Sequence, residues 1–185
     1  MAMRLFVFNF RFYYEQFMNK ESISRILEAL AYIAERAPAH KKNMYNVLKV
    51  FYLADKLHME RFGRFIFEEN YSAMDRGPVP SMAYDLVKII KSGQELPYSV
   101  PSPVAIDFNH IITVDRQANE DLFSGSDLLC IDEIIELSKV EDLGDLSHDD
   151  AWKKTTRNSL MPAEAIISTL HNSEALIQLH QNRHL

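Results

Sequence analysis

MYNVLKVFYLADKLHMERFG, residues 44–63, and YSAMDRGPVPSMAYDLVK, residues 71–88, together decide how the chain folds. In the first, Met44, Val47, Leu48, Phe51 and Ala54 make one helical stripe, and Val50, Leu53 and Leu57 an adjoining one. Apolar over so wide an arc, this helix is expected to be the central, most buried element. Asn43 reads as its N-cap and Gly63 as its C′ residue. In the second stretch, Gly77-Pro78-Val79-Pro80 precedes Ser81 and a new helical pattern. Each proline fixes its own φ and pushes the residue before it toward extended backbone. The tetrapeptide therefore reads as a rigid joint between a short hairpin over residues 64–74 and a third helix capped by Ser81.

Working outward, Ile23, Ile26, Leu27, Leu30, Ile33 and Ala34 keep helical spacing up to Pro38. Before them, Phe6, Phe8, Phe10 and Phe12 alternate with polar or smaller residues, the period of a strand. Residues 1–18 thus read as a Phe-rich strand or an extension, residues 19–158 as the main domain, and residues 159–185 as an amphipathic helix packed on it. In that last helix, expected from Pro162 to Asn182, Ile166, Ile167, Leu170, Leu176 and Leu179 form the buried side. Between third helix and tail, LPYSVPSPVAIDF reads as a connector and His110–Val114 as a strand. A fourth helix is expected from Ser126 to Lys139, and a short fifth helix with Trp152 begins at a capping box over Ser147–Asp150. The fold class expected is mainly α with a small β-hairpin, in one helical domain.

Composition narrows the function. A chain of 185 residues with 47% hydrophobic residues can bury a core without metal or disulfide. The net charge of −6 argues against broad nucleic-acid binding, which needs clustered Lys and Arg. Lys41-Lys42 and Lys153-Lys154 with Arg157 are the only basic groupings and read as solvated faces. The single cysteine, Cys130, lies in the apolar run LLCIDEII and reads as a buried thiol. No run reaches the roughly 18 apolar residues of a membrane helix. Arg11 interrupts the N-terminal apolar stretch, so no secretory signal is read there, and the cytoplasm is the expected compartment.

Few constellations offer chemistry. Asp142, Asp145, His148, Asp149 and Asp150 crowd together and form the one candidate metal centre, the basis of an alternative reading as a metal-dependent hydrolase. Their competing role is helix capping. There is no nucleophile elbow and no glycine-rich phosphate loop, and Cys130 has no evident base. Asp55 stands in an apolar helix, where a carboxylate needs a partner, expected in the following hairpin's backbone or an arginine. Tyr71, Met74, Arg76 and Tyr84 are residue types enriched at interface hot spots. With Gly77, Pro78, Val79 and Pro80 they form the candidate partner-binding patch. A transcriptional regulator is disfavoured by the acidic balance.

Lys49-x-Phe51-Tyr52-Leu53-Ala54-Asp55, His58, Phe62-Gly63-Arg64, Tyr71-x-Ala73-Met74-x-x-Gly77-Pro78-Val79-Pro80 and Tyr84-Asp85 resemble the Panacea domain of the SocA-like antitoxin family, often labelled phage-associated. Leu146-Ser147-His148-Asp149-x-Ala151-Trp152 is similar to a later element of the same family, and the likeness spans roughly residues 22–157. The resemblance implies a helical, non-enzymatic antitoxin of a type II toxin–antitoxin system. It implies direct binding to a co-encoded toxin, with no cofactor. One branch of the family delivers the toxin to a protease, which makes a proteolytic adaptor the alternative reading. A toxin and, in that branch, a protease are the implied partners; a second copy of the chain is a further candidate partner. It also gives His148 a structural or binding role, beside the structural roles read for Asp55, Gly63, Ser81 and Trp152. The Phe-rich start and the helix after Pro162 depart from the family pattern and leave the choice of toxin open.

Overall fold

The computed structural model describes residues 19–183 of the chain. Helix α1, Lys20–Arg36, begins where the Asn19 side chain accepts the Ser22 N–H at 2.7 Å and stops one residue before Pro38 at its Ala37 cap. Helix α2, Met44–Phe62, begins under Asn43, whose side chain accepts the Asn46 N–H at 3.0 Å. It ends on Gly63, held left-handed at φ 70°. Val47, Phe51, Ala54 and Met59 are all 0% exposed, so α2 is the enclosed element its two stripes demand.

The hairpin lies further along than its sequence signals indicate. Residues 64–70 are irregular; strand β1, Tyr71–Met74, pairs antiparallel with β2, Gly77–Pro80. The tetrapeptide read as a joint outside the hairpin is therefore one of its two strands. Register explains how a strand holds two prolines. Ala73 stands opposite Pro78, and its N–H and C=O both turn away, to Ser159 O and Asn158 N at 2.9 Å. Pro78 thus occupies a position where the antiparallel ladder asks for no N–H.

Helix α3, Ser81–Lys91, corrects a second expectation. Ser81 is its first residue and not its cap; Pro80 holds the cap position and contributes no side-chain bond. The Ser81 hydroxyl instead bonds that of Ser72 at 2.9 Å. The orphan N–H groups of Met82 and Ala83 find the Glu69 carboxylate at 3.0 and 2.8 Å. The proline-rich connector contains a strand, β3, Val104–Ile106, antiparallel to β4, Ile112–Val114.

Helix α4, Gly125–Leu137, starts in a capping box formed by Ser124 and Asp127, slightly earlier than expected. Two short helices follow, α5, Leu143–Ser147, and α6, Asp150–Lys154, capped by Asp142 and Asp149. The long C-terminal helix expected over Pro162–Asn182 is broken into α7, Ala163–Ile167, and α8, Ser173–Arg183. At the break His171 donates its N–H to Glu60 at 3.1 Å and Asn172 turns left-handed at φ 53°. Ile166 and Ile167 are buried, but no residue of α8 is, and Leu179 is 40% exposed. The Phe6–Phe12 strand lies outside the described residues. Among the described residues the domain is mainly helical with two small two-stranded antiparallel sheets.

Candidate partner-binding site

Three polar side chains three residues apart on α2 share one helix face, and each holds a different segment. Lys49, 1% exposed, donates its Nζ to the carbonyl of Pro78 at 2.8 Å. Burial without a carboxylate partner lowers its pKa to about 8. Tyr52 donates its hydroxyl to Asp149 at 2.8 Å, and Lys56 pairs with the same carboxylate. Asp149 in turn accepts the Trp152 N–H at 3.1 Å, so this contact carries the start of α6. Asp55 accepts the N–H groups of Ile66 and Phe67 at 2.6 and 3.1 Å and the Tyr71 hydroxyl at 2.7 Å. Burial pushes its carboxyl up to about 7, against those three hydrogen bonds.

The hairpin tip is tied from the opposite side. The Met74 carbonyl accepts Nε1 of Trp152 at 2.8 Å and Nη1 of Arg157 at 2.9 Å. The indole stacks with the His148 ring at 4.2 Å, and the Arg157 guanidinium lies over it at 4.1 Å. Nε2 of His148 is buried without a hydrogen-bond partner among the described residues. It sits beside Gly77, which takes φ 100°; a Cβ there would lie 3.0 Å from the imidazole and overlap the Lys49 ammonium. Beneath the hairpin, Tyr52, Tyr71, Ala73, Ala151, Met161 and Ile166 form a small apolar cluster separate from the main core.

These contacts sort the residues singled out from the sequence. Tyr71 is 2% exposed with its hydroxyl on Asp55, so it offers no surface. Gly77, Pro78 and Pro80 are buried as well. Asp75 and Arg76 at the turn are exposed, with Met74, Val79 and Tyr84 half-buried. Tyr84 receives the Lys88 ammonium over its ring at 4.6 Å. Asp55, His148 and Trp152 brace the hairpin from within. Gly63 closes α2, where a Cβ would lie 2.5 Å from the Leu179 side chain.

The carboxylates of the candidate metal centre have other occupations. Asp142 accepts the Gly144 and Asp145 N–H groups at 2.7 and 3.3 Å, Asp149 caps α6, and Asp150 pairs with Lys154 at 2.9 Å. Among the described residues no three His, Cys, Asp or Glu side chains are grouped so as to hold a metal ion. Helix capping thus accounts for Asp142 and Asp149.

Glu69 escaped the sequence reading. Burial raises its carboxyl to about 8, and the two α3 N–H bonds pull the other way. A carboxyl raised in the folded state adds stability below its unfolded pKa and loses it as pH climbs through the folded value. Asp55 acts in the same sense. Stability is therefore expected to fall by on the order of 5 kcal/mol between about pH 5.5 and 8, with Glu69 contributing the larger share. Thermal denaturation across that range checks it, and Glu69→Gln should flatten the slope. A Tm that rises with pH would contradict the assignment.

A family model described as the SocA-like antitoxin, Panacea domain, matches residues 47–153, more than half of the chain. No curated protein and no solved structure matches it.

Proposed function

We infer the function of this chain from the family to which it belongs, the SocA-like antitoxins with a Panacea domain: it neutralises a co-encoded protein toxin by direct contact and without catalysis. The family match carries this reading, and the geometry supports it. The polar side chains that run along α2 are turned inward and hold the hairpin in one shape. A surface fixed before binding has less conformational entropy to lose on association. The exposed turn residue Arg76, with the half-buried Met74, Val79 and Tyr84, is the contact surface we assign to the toxin. Residues 19–158 form the body of the antitoxin unit, and the segment from residue 159 is packed on it. Among the described residues no helix is long and apolar enough to cross a membrane, which accords with action in the cytoplasm.

Co-expression with the product of the neighbouring gene tests the reading. Growth should be rescued and the two proteins should co-elute, and rescue should persist in protease-deficient cells if masking is the mechanism. Neither rescue nor complex for that pair would refute it. Arg76→Glu should raise the Kd at least tenfold, about 1.4 kcal/mol, while leaving the melting temperature unchanged. An unaltered Kd would remove Arg76 from the contact surface.

A further inference from the structure

Strand β1 has a second neighbour besides β2. The segment from Asn158 to Met161 runs antiparallel beside it, with Leu160 opposite Ser72. Ala73 donates to Ser159 O at 2.9 Å, and Met161 donates to Tyr71 O at 2.7 Å. Bonds flanking the Ser72–Leu160 pair in this way turn the N–H and C=O of Leu160 away from β1. Neither has a partner among the described residues, and Leu160 is 59% exposed. The free edge is short. Asn158 is left-handed at φ 60°, and Pro162 has no N–H to extend the ladder.

Alongside this edge, α6 and α7 leave a groove of about 370 Å³, lined by Ala151, Thr155, Ser159, Pro162 and Ala165. Small side chains make its room. Helix α6 beside it carries two lysines, Lys153 and Lys154, against the one carboxylate of Asp150. Lys154 answers Asp150 at 2.9 Å, and Lys153, which acts on the same carboxylate, has no acid of its own there. Arg157 is turned the other way, over Trp152 to the Met74 carbonyl and the Asp75 carboxylate at 3.9 Å, and takes no part.

We propose that this edge docks an extended segment of the partner protein by strand addition, with a small apolar side chain in the groove and a carboxylate toward Lys153 and Lys154. Main-chain bonds to Leu160 would hold the segment, and the groove would select its side chain. Because only one N–H and C=O pair is free, the edge admits one register. The inference rests on the reading that the partner is the toxin, and it adds what that toxin presents.

Amide exchange in the full-length complex with the product of the neighbouring gene tests it. Exchange at the Leu160 amide should slow at least tenfold on binding; unchanged exchange overturns the proposal. Leu160→Pro removes the amide and should raise the Kd, but it can also lower stability. Ala165→Leu fills the groove from a half-buried position and should raise the Kd at least tenfold with an unchanged melting temperature. An unaltered Kd in Ala165→Leu overturns the proposal. Lys153→Glu should weaken binding most at low salt. Protection of Leu160 by concentrating the chain alone would assign the edge to a second copy and overturn it too. If the wild-type chain binds no toxin, the antitoxin reading fails. If it binds with Leu160 still exchanging freely, this inference fails alone.

Discussion

Asp55→Ala is expected to destabilise the domain by about 4 kcal/mol, because it leaves three donors inside the protein with no acceptor. The N–H groups of Ile66 and Phe67 and the hydroxyl of Tyr71 all converge on this carboxylate. Asp55 and Tyr71 are 1% and 2% exposed, so water does not take its place at the surface. Each buried donor left unpaired costs roughly 1–3 kcal/mol. The three together come to roughly 3–9 kcal/mol, and removing a carboxylate that burial already disfavours recovers part of that sum, which holds the total near its lower end. For a domain of this size the melting temperature should drop by roughly 10 °C. Asp55→Asn keeps one acceptor and should lose clearly less. Chemical denaturation of both variants decides the matter, and a loss under about 1 kcal/mol for the alanine variant would mean the three donors find other partners.

Gly77→Ala is expected to cost about 3 kcal/mol, from backbone strain and crowding together. At φ 100° residue 77 lies where side chains are rarely tolerated. The added methyl would also displace the Lys49 ammonium from Pro78 and press on His148. A displaced lysine would remain inside the protein with its one hydrogen bond gone. Gly93→Ala separates the two effects: Gly93 has φ 69° with nothing within 4 Å of a Cβ, so strain alone applies and about 1 kcal/mol should be lost. Equal losses at both positions would show that the packing of Lys49 and His148 against Gly77 contributes little.

Local signals were the legible ones. The apolar spacing of α1 and α2, the Asn43 cap and the left-handed Gly63 follow from residues within one or two turns, and the structure has them where the spacing puts them. What escaped depended on distant partners. A Pro-Val-Pro strand is tolerable only because Ala73 turns its backbone to residues 158 and 159, some eighty positions away in sequence. Glu69 replaces Ser81 at the start of α3 because the chain between them folds back as a hairpin. The C-terminal helix breaks where Glu60 captures His171. In the site, the need of Asp55 for a partner was legible from its apolar setting. Tyr71 was misread as surface, since its residue type suits an interface and a core equally. The spacing of Lys49, Tyr52 and Asp55 among the apolar stripes of α2 was the signal that could have revealed the interior network.

The row of polar side chains along α2 has an evolutionary consequence. The motif residues by which the chain resembles its family, Lys49, Tyr52, Asp55, Tyr71 and Asp149, are bonded to one another or to the backbone between them. Such a signature marks a scaffold and carries little information about a target. Exposed positions such as Arg76 and Leu160 contribute little to that network and can drift without unfolding the domain. Specificity can then be rewritten on the outside while the inside stays legible as one family, so a shared motif between two such chains predicts a shared architecture and not a shared target.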